Sequence, residues 1–170
     1  MELCEDPTPA SVSISAKKSW KIVFIDSLQF LPSSLDVLVT NLLKRGSDSF
    51  RLMKQHFGND TAMLLRKGVY PYEYMDSWTR FQETQLPPIE QFWSSLSDTA
   101  ISESDYAHAI SVWDHFELQD MGAFHDLYLK TDVLLLCDIF ENFRLFSLRR
   151  YGLDPAHYYT LPSLEIGRAH

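Results

Sequence analysis

The spacing of apolar residues divides the chain into helical stripes separated by punctuated loops. WKIVFIDS (Trp20–Ser27) carries β-branched and aromatic residues on both faces, the pattern of a buried strand. LPSSLDVLVTNLLKRG then changes to helical spacing. Ser33 or Ser34 caps it, Leu35, Leu38, Val39, Leu42 and Leu43 form one stripe, and Gly46 ends it. DSFRLMKQHFG predicts a shorter helix closed by Gly58. RKGVYPYEYMDSWTRFQETQLPP, from Arg66 to Pro88, mixes five aromatic rings with glycine and proline and reads as mostly loop.

The helical period returns at SESDYAHAISVWDHF. Ser102 and Asp105 resemble a capping box with a shorter acid, and Ala109, Val112, Trp113 and Phe116 point inward. The longest helix is predicted from about Met121 to Tyr151, with Gly152 and Pro155 stopping it. No internal repeat is visible. One strand followed by helices cannot close a sheet, because a lone strand leaves its ladder groups unpaired. Its partner strands are expected from sequence preceding residue 1.

Composition changes this picture little. A chain of 170 residues with 45% hydrophobic and 14% aromatic content suits one domain with a packed core. The net charge of -8 gives no bulk electrostatic case for nucleic-acid binding, and only a local basic groove would offset it. Cys4 and Cys137 have no partnered spacing, so reduced thiols and an intracellular location are expected, with the nucleus one candidate compartment. No segment is long and apolar enough to span a bilayer, no signal peptide is visible, and no membrane partner is expected.

Both ends look foreign to the fold. Residues 1–19 are rich in Ser, Pro and charge and read as a linker or ragged start. Residues 165–170, EIGRAH, match the translation of a common sequencing-adapter read, AG-ATC-GGA-AGA-GCA-CAC, and read as a scar. On that reading the natural protein continues beyond Leu164.

Candidate chemistry gathers at a few positions. In YLKTDVLLL, Tyr128 and Asp132 stand four apart and share a helix face that continues through Leu135, Leu136, Ile139 and Phe143. A carboxylate at the edge of such a face is costly unless something uses it. Either Asp132 meets solvent or an arginine while Tyr128 packs, or Asp132 binds metal while Tyr128 orients an attacking water. Lys67, beside Gly68, is a solvated loop lysine or a cation facing a scissile phosphate. Tyr72 is core, or a ring against which a terminal base packs. Ser27 and Leu28 form a strand-end turn or line a ligand site there. The six histidines lack zinc-ligand spacing, and His108 reads as a helix-surface residue. No Gly-rich phosphate loop, Ser-His-Asp arrangement or Cys-x-x-Cys is present.

In order along the chain, FIDSLQFLPSSLDVLVTNL, RKGVYPYEYMDSW, ETQLPPIEQFWSSLSD, HDLYLKTDVLLLCDIFENFR and YGLDPAHYYTLPSL resemble protein-primed family B DNA polymerases. The nearest likeness is to those of Maverick/Polinton-type self-synthesising transposons and related viruses, from about Lys21 to Leu164. The resemblance implies an α/β class, an incomplete RNase H-like 3′–5′ proofreading exonuclease domain, mostly helical in this fragment with few strands. That partial domain would occupy residues 20–151, and residues 152–164 would begin the connection toward the polymerase palm. Tyr128 and Asp132 would be the Tyr-x-x-x-Asp of the third exonuclease motif, with Asp132 a metal ligand and Tyr128 orienting the water. Lys67, with Tyr70 three positions on, would be the catalytic lysine. Tyr72, Ser27 and Leu28 would hold single-stranded DNA at the primer end. The implied cofactor is Mg2+ in a two-metal site, and the implied partners are DNA and a terminal priming protein.

The chain also departs from the family pattern. It has no Asp-x-Glu, lacks the second exonuclease motif, and lacks the Asp-Thr-Asp of the palm. The fragment alone is therefore expected to be inactive, with its basic DNA-contacting surfaces mostly elsewhere in the parent. The readings from other classes are a helical protein–protein interaction module and a stand-alone nuclease.

Overall fold

The computed structural model describes residues 22–95 and 98–168. Its helices are α1 (Leu35–Leu43), α2 (Arg51–Phe57), α3 (Thr61–Leu64), α4 (Glu103–His115), α5 (Met121–Tyr151) and α6 (Leu161–Arg168). The boundaries follow from local chemistry. The Ser34 hydroxyl accepts the Val37 N–H at 3.4 Å and starts α1. Ser102 accepts the Asp105 N–H at 3.1 Å while its own hydroxyl donates to the Asp105 carboxylate at 2.7 Å, which fixes the start of α4. Asp120 accepts the Ala123 N–H at 2.8 Å at the head of α5, and Gly152, at φ 71°, closes its other end.

Helix α5 is the spine. Its 31 residues span about 46 Å at 1.5 Å per residue. Leu135 and Ile139 on its inner side pack with Val39 and Leu42 of α1, Phe50 and Met53 of the α2 region, and Val112 of α4. Nearer its start, Met121 and Phe124 pack with Ala109 in a second cluster, joined by Val69, Tyr70 and Trp113. The Met121 N–H donates to the Glu83 carbonyl at 2.8 Å, tying this end to the 66–88 loop. That loop is irregular apart from a 3-10 turn at Trp78–Gln82.

No side chain from its own segment caps α2; the preceding residue is the fully buried Phe50. The cap comes from α5. The Asp138 carboxylate accepts the Leu52 N–H at 2.9 Å and the Met53 N–H at 3.0 Å. One turn on, the Asn142 amide donates to the Ser49 carbonyl at 2.8 Å. Asp138 is buried, so its two acceptor bonds do the work that water does for an exposed acid.

The strand expected at Trp20–Ser27 is not formed among the described residues. Ile22–Asp26 joins no ladder and Ser27 begins a 3-10 turn, while Trp20 and Lys21 lie outside the described residues. Ile22 is 80% and Phe24 92% exposed. The segment has strand composition but nothing to pair with, since β pairing among the described residues is confined to a Ser94–Thr99 bridge. The described residues are thus mostly helical, and the sheet that an α/β class requires is not among them. Residues 1–19 also lie outside them, and α6 runs across the suspected scar as far as Arg168.

Replacing Asp138 should therefore cost more than an ordinary helix cap. Asp138→Ala is expected to lower unfolding stability by about 2–4 kcal/mol, and Asp138→Asn by roughly half that, because one acceptor remains. Urea denaturation of the two variants checks this, and a loss below about 0.5 kcal/mol for the alanine variant would refute the cap's role.

Candidate functional site

Tyr128 and Asp132 occupy successive turns of α5, and the loop from Arg66 to Tyr72 crosses over them. The crossing is close because residue 68 is glycine: a Cβ there would lie 3.2 Å from Cδ2 of the Tyr128 ring. Tyr70 then stacks on Tyr128, with ring centroids 4.9 Å apart and planes at 26°. Behind it, the Tyr70 hydroxyl meets His125 Nδ1 at 2.7 Å. Tyr72 turns outward and its hydroxyl bonds the Tyr128 hydroxyl at 2.7 Å, its ring standing edge-on. Two segments 56 positions apart thus bring two phenols together beside one carboxylate.

The electrostatics of this cluster are set by burial. Burial pushes the Tyr128 hydroxyl well above the usual phenol range, with the Tyr72 hydroxyl and the Asp132 charge adding to it. Tyr128 therefore holds its proton and can donate. Burial also raises the Asp132 carboxyl, while the neighbouring Tyr128 hydroxyl and the Lys67 ammonium pull it back. Asp132 Oδ1 is buried without a hydrogen-bond partner. Burial raises the Tyr70 hydroxyl as well, followed by the influence of Tyr72.

Lys67, Tyr70, Tyr72 and Tyr128 line one groove of about 440 Å³, bordered by Arg66, Asp36 and Asp105. Arg66 is ion-paired to Asp105; Lys67 is exposed. Ser27 and Leu28 are placed differently. They lie in the 3-10 turn that precedes Phe30, whose ring packs on Phe140 and Phe143. Phe140 is about 12 Å along α5 from Asp132. The described contacts thus join Lys67, Tyr72, Tyr128 and Asp132, whereas Ser27–Leu28 borders a later stretch of the helix.

The Mg2+ implied by the family resemblance requires more donors than this. Among the described residues, no group of three or more His, Cys, Asp or Glu could hold a metal ion. Asp132 is a single carboxylate, so the residues present do not by themselves fit that metal.

Two parts of the cluster were not foreseen. His125, whose spacing from the other histidines suggests no role, stands three positions before Tyr128 on the same helix face. Tyr70, which the resemblance places only three positions after Lys67, links His125 to Tyr128. His108, expected on the helix surface, is half-buried against a cavity of about 40 Å³ behind Tyr128, and burial lowers its imidazole below the usual range.

The chain is 29% identical over 147 residues to a probable DNA polymerase of Podospora anserina, covering 86% of this chain. It spans only 10% of that protein's length. No family model and no solved structure matches the chain. No helix among the described residues is long and apolar enough to cross a membrane.

A half-buried carboxylate with one oxygen left without a hydrogen bond weakens a fold where desolvation outweighs its neighbours' support. The folded-state pKa of Asp132 lies above the unfolded one, so the folded chain holds its proton longer as pH rises. Stability is then unaffected below the ordinary carboxylate pKa of about 3.9 and falls as pH rises through the folded pKa. Asp132→Asn should accordingly raise stability at pH 7 by a few tenths to about 1 kcal/mol, and the gain should vanish toward pH 3. Thermal unfolding of both proteins across that range checks the sign; a destabilised Asn variant at pH 7 would contradict it.

Proposed function

We propose that this chain is a piece of a protein-primed family B DNA polymerase, carrying the later part of its 3′–5′ proofreading exonuclease. The reading rests on one observation above all: the Lys67–Tyr72 loop closes over Tyr128 and Asp132, with the Tyr72 and Tyr128 hydroxyls 2.7 Å apart. Those are the residues that the family resemblance assigns to excision, and an interaction module gives no reason for them to meet. The similarity to part of a DNA polymerase supports it from a separate direction.

Each residue has a physical task on this reading. Tyr128 keeps its proton and offers it to a water or a phosphate oxygen. Lys67 places a mobile cation at the groove, where negative charge develops during phosphodiester cleavage. Tyr72 presents an exposed ring at the groove mouth, suited to stacking on an unpaired base at the primer end. Asp132 contributes one carboxylate to a divalent-metal centre whose other ligands come from the rest of the parent. The parent's RNase H-like sheet would pair the Ile22–Asp26 segment, and its priming protein would act outside this chain.

Single-stranded oligonucleotide binding by the 170-residue chain tests the groove. Tyr72→Ala should weaken binding about 5- to 150-fold, the scale of one lost base stack, while Tyr72→Phe stays within about threefold of the parent chain. Unchanged fluorescence anisotropy titrations for Tyr72→Ala would remove the assignment. The chain by itself should release no nucleotides from single-stranded DNA with Mg2+; metal-dependent release by a nuclease-free preparation would favour the stand-alone nuclease instead. At the locus, an open frame running through Asp-x-Glu upstream and Asp-Thr-Asp downstream is the expected result.

A further inference from the structure

The other end of α5 carries a concentration of charge that the excision cleft does not use. Arg45, Arg149 and Arg150 line a groove of about 440 Å³ between the ends of α1 and α5, with Asn142 and Phe146 between them. A second groove of about 590 Å³ continues from it, sharing Ser49, Asn142, Leu145 and Arg149 and adding Arg51, with the carboxylates of Asp48, Asp138 and Glu141 also in its lining. All four arginines are exposed. Among the described residues, no carboxylate lies within ion-pairing distance of any of them, since the ion pairs formed there involve other cations.

The acids along the same surface are already engaged. Asp48 pairs with Lys54 at 2.5 Å, Glu141 pairs with Arg144 at 2.5 Å, and Asp138 is taken up by the Leu52 and Met53 N–H groups. Arg144 is shared between Glu141 and Asp154, but the first groove has no carboxylate in its lining, so in a chain of net charge -8 its three arginines face one another without an acid. Arg149 and Arg150 in the last turn of α5, and Arg45 just past α1, also face the negative ends of helix dipoles. That accounts for a cation at each end but not for their convergence on one groove.

We propose that this groove is a second nucleic-acid contact, binding the phosphate backbone of a DNA strand about 25 Å along α5 from Asp132. Three features favour phosphodiesters over an acidic peptide. The cations are all arginine, whose planar fork pairs with two phosphate oxygens at once. Phe146, 46% exposed, offers a ring beside them for an unpaired base. The similarity to part of a DNA polymerase points to the same ligand. The sequence resemblance placed the basic surfaces mostly outside this chain, and this groove is an exception to it. The assignment does not depend on the excision cleft.

The test is binding of a single-stranded oligonucleotide to the full 170-residue chain, followed by anisotropy across a salt series. The Arg45→Gln/Arg149→Gln/Arg150→Gln protein should lose about tenfold or more in affinity, and its log K against log salt slope should shrink by about 2. A control Arg80→Gln/Lys130→Gln protein, changed at two cations outside both grooves, should keep the parent slope to within about half a unit. An equal loss per charge in that control would mean diffuse attraction and overturn the proposal, as would no loss in the arginine variant or a parent chain that binds no DNA. Replacing the three groove arginines by lysine should restore most of the slope. Failure of the lysine replacements to rescue would assign the arginines to folding and also overturn it. Displacement of the oligonucleotide by polyglutamate at equal charge concentration would transfer the groove to acidic peptides. Tyr72→Ala separates the two sites: it should weaken binding with the arginine groove intact, and its failure to do so would count against the cleft alone.

Discussion

A buried carboxylate holds this fold together by joining two helices that share no sequence neighbourhood. Asp138 accepts the first N–H groups of α2 from 85 and 86 positions away, and Asn142 fixes the turn before it. A helix of seven residues with an uncapped start has little stability of its own. Capped from α5, it delivers Phe50 and Met53 into the space beside Leu135 and Ile139, so the polar join and the apolar core form together. Each makes the other cheaper: the core excludes the water that would compete for Asp138, and Asp138 satisfies the backbone that the core would otherwise strand.

The candidate site inherits its rigidity from the same helix. Tyr128 and Asp132 lie upstream of Asp138 on one uninterrupted α5, and the loop that completes the site is clamped by ring stacking. Tyr70 is held between His125 and Tyr128, and Gly68 permits the approach. Asp132 is the exception to this economy. Its buried oxygen has no partner, and the surrounding packing sustains a charge that the fold alone does not need.

Local chemistry was legible in the sequence and long-range chemistry was not. The cap, open between Ser33 and Ser34 and found at Ser34, the Ser102–Asp105 exchange and the stop at Gly152 depend on residues within one turn of each other, and these boundaries agree with those observed. The Asp138 cap is invisible to any such window, because its donors are backbone groups of another helix. Apolar composition alone suggested a strand at Trp20–Ser27, but a ladder needs a second strand, and the described residues supply none. At the site, the Tyr128–Asp132 spacing identified a shared face. The meeting of Tyr70 with His125 required knowing that the 66–72 loop folds back over α5.

The outer side of α5 is nearly as apolar as the inner one. Leu129, Val133, Leu136 and Leu148 remain in contact with water, as do Ile22 and Phe24. Hydration of such groups sets the heat capacity of unfolding, and here much of it is already present before the chain unfolds. These side chains therefore add less to the increment on unfolding than buried ones of the same size would, and flatten the temperature dependence of stability in proportion. Covering that side of α5 would restore the ordinary curvature, so heat capacity reports directly on whether the helix is clothed.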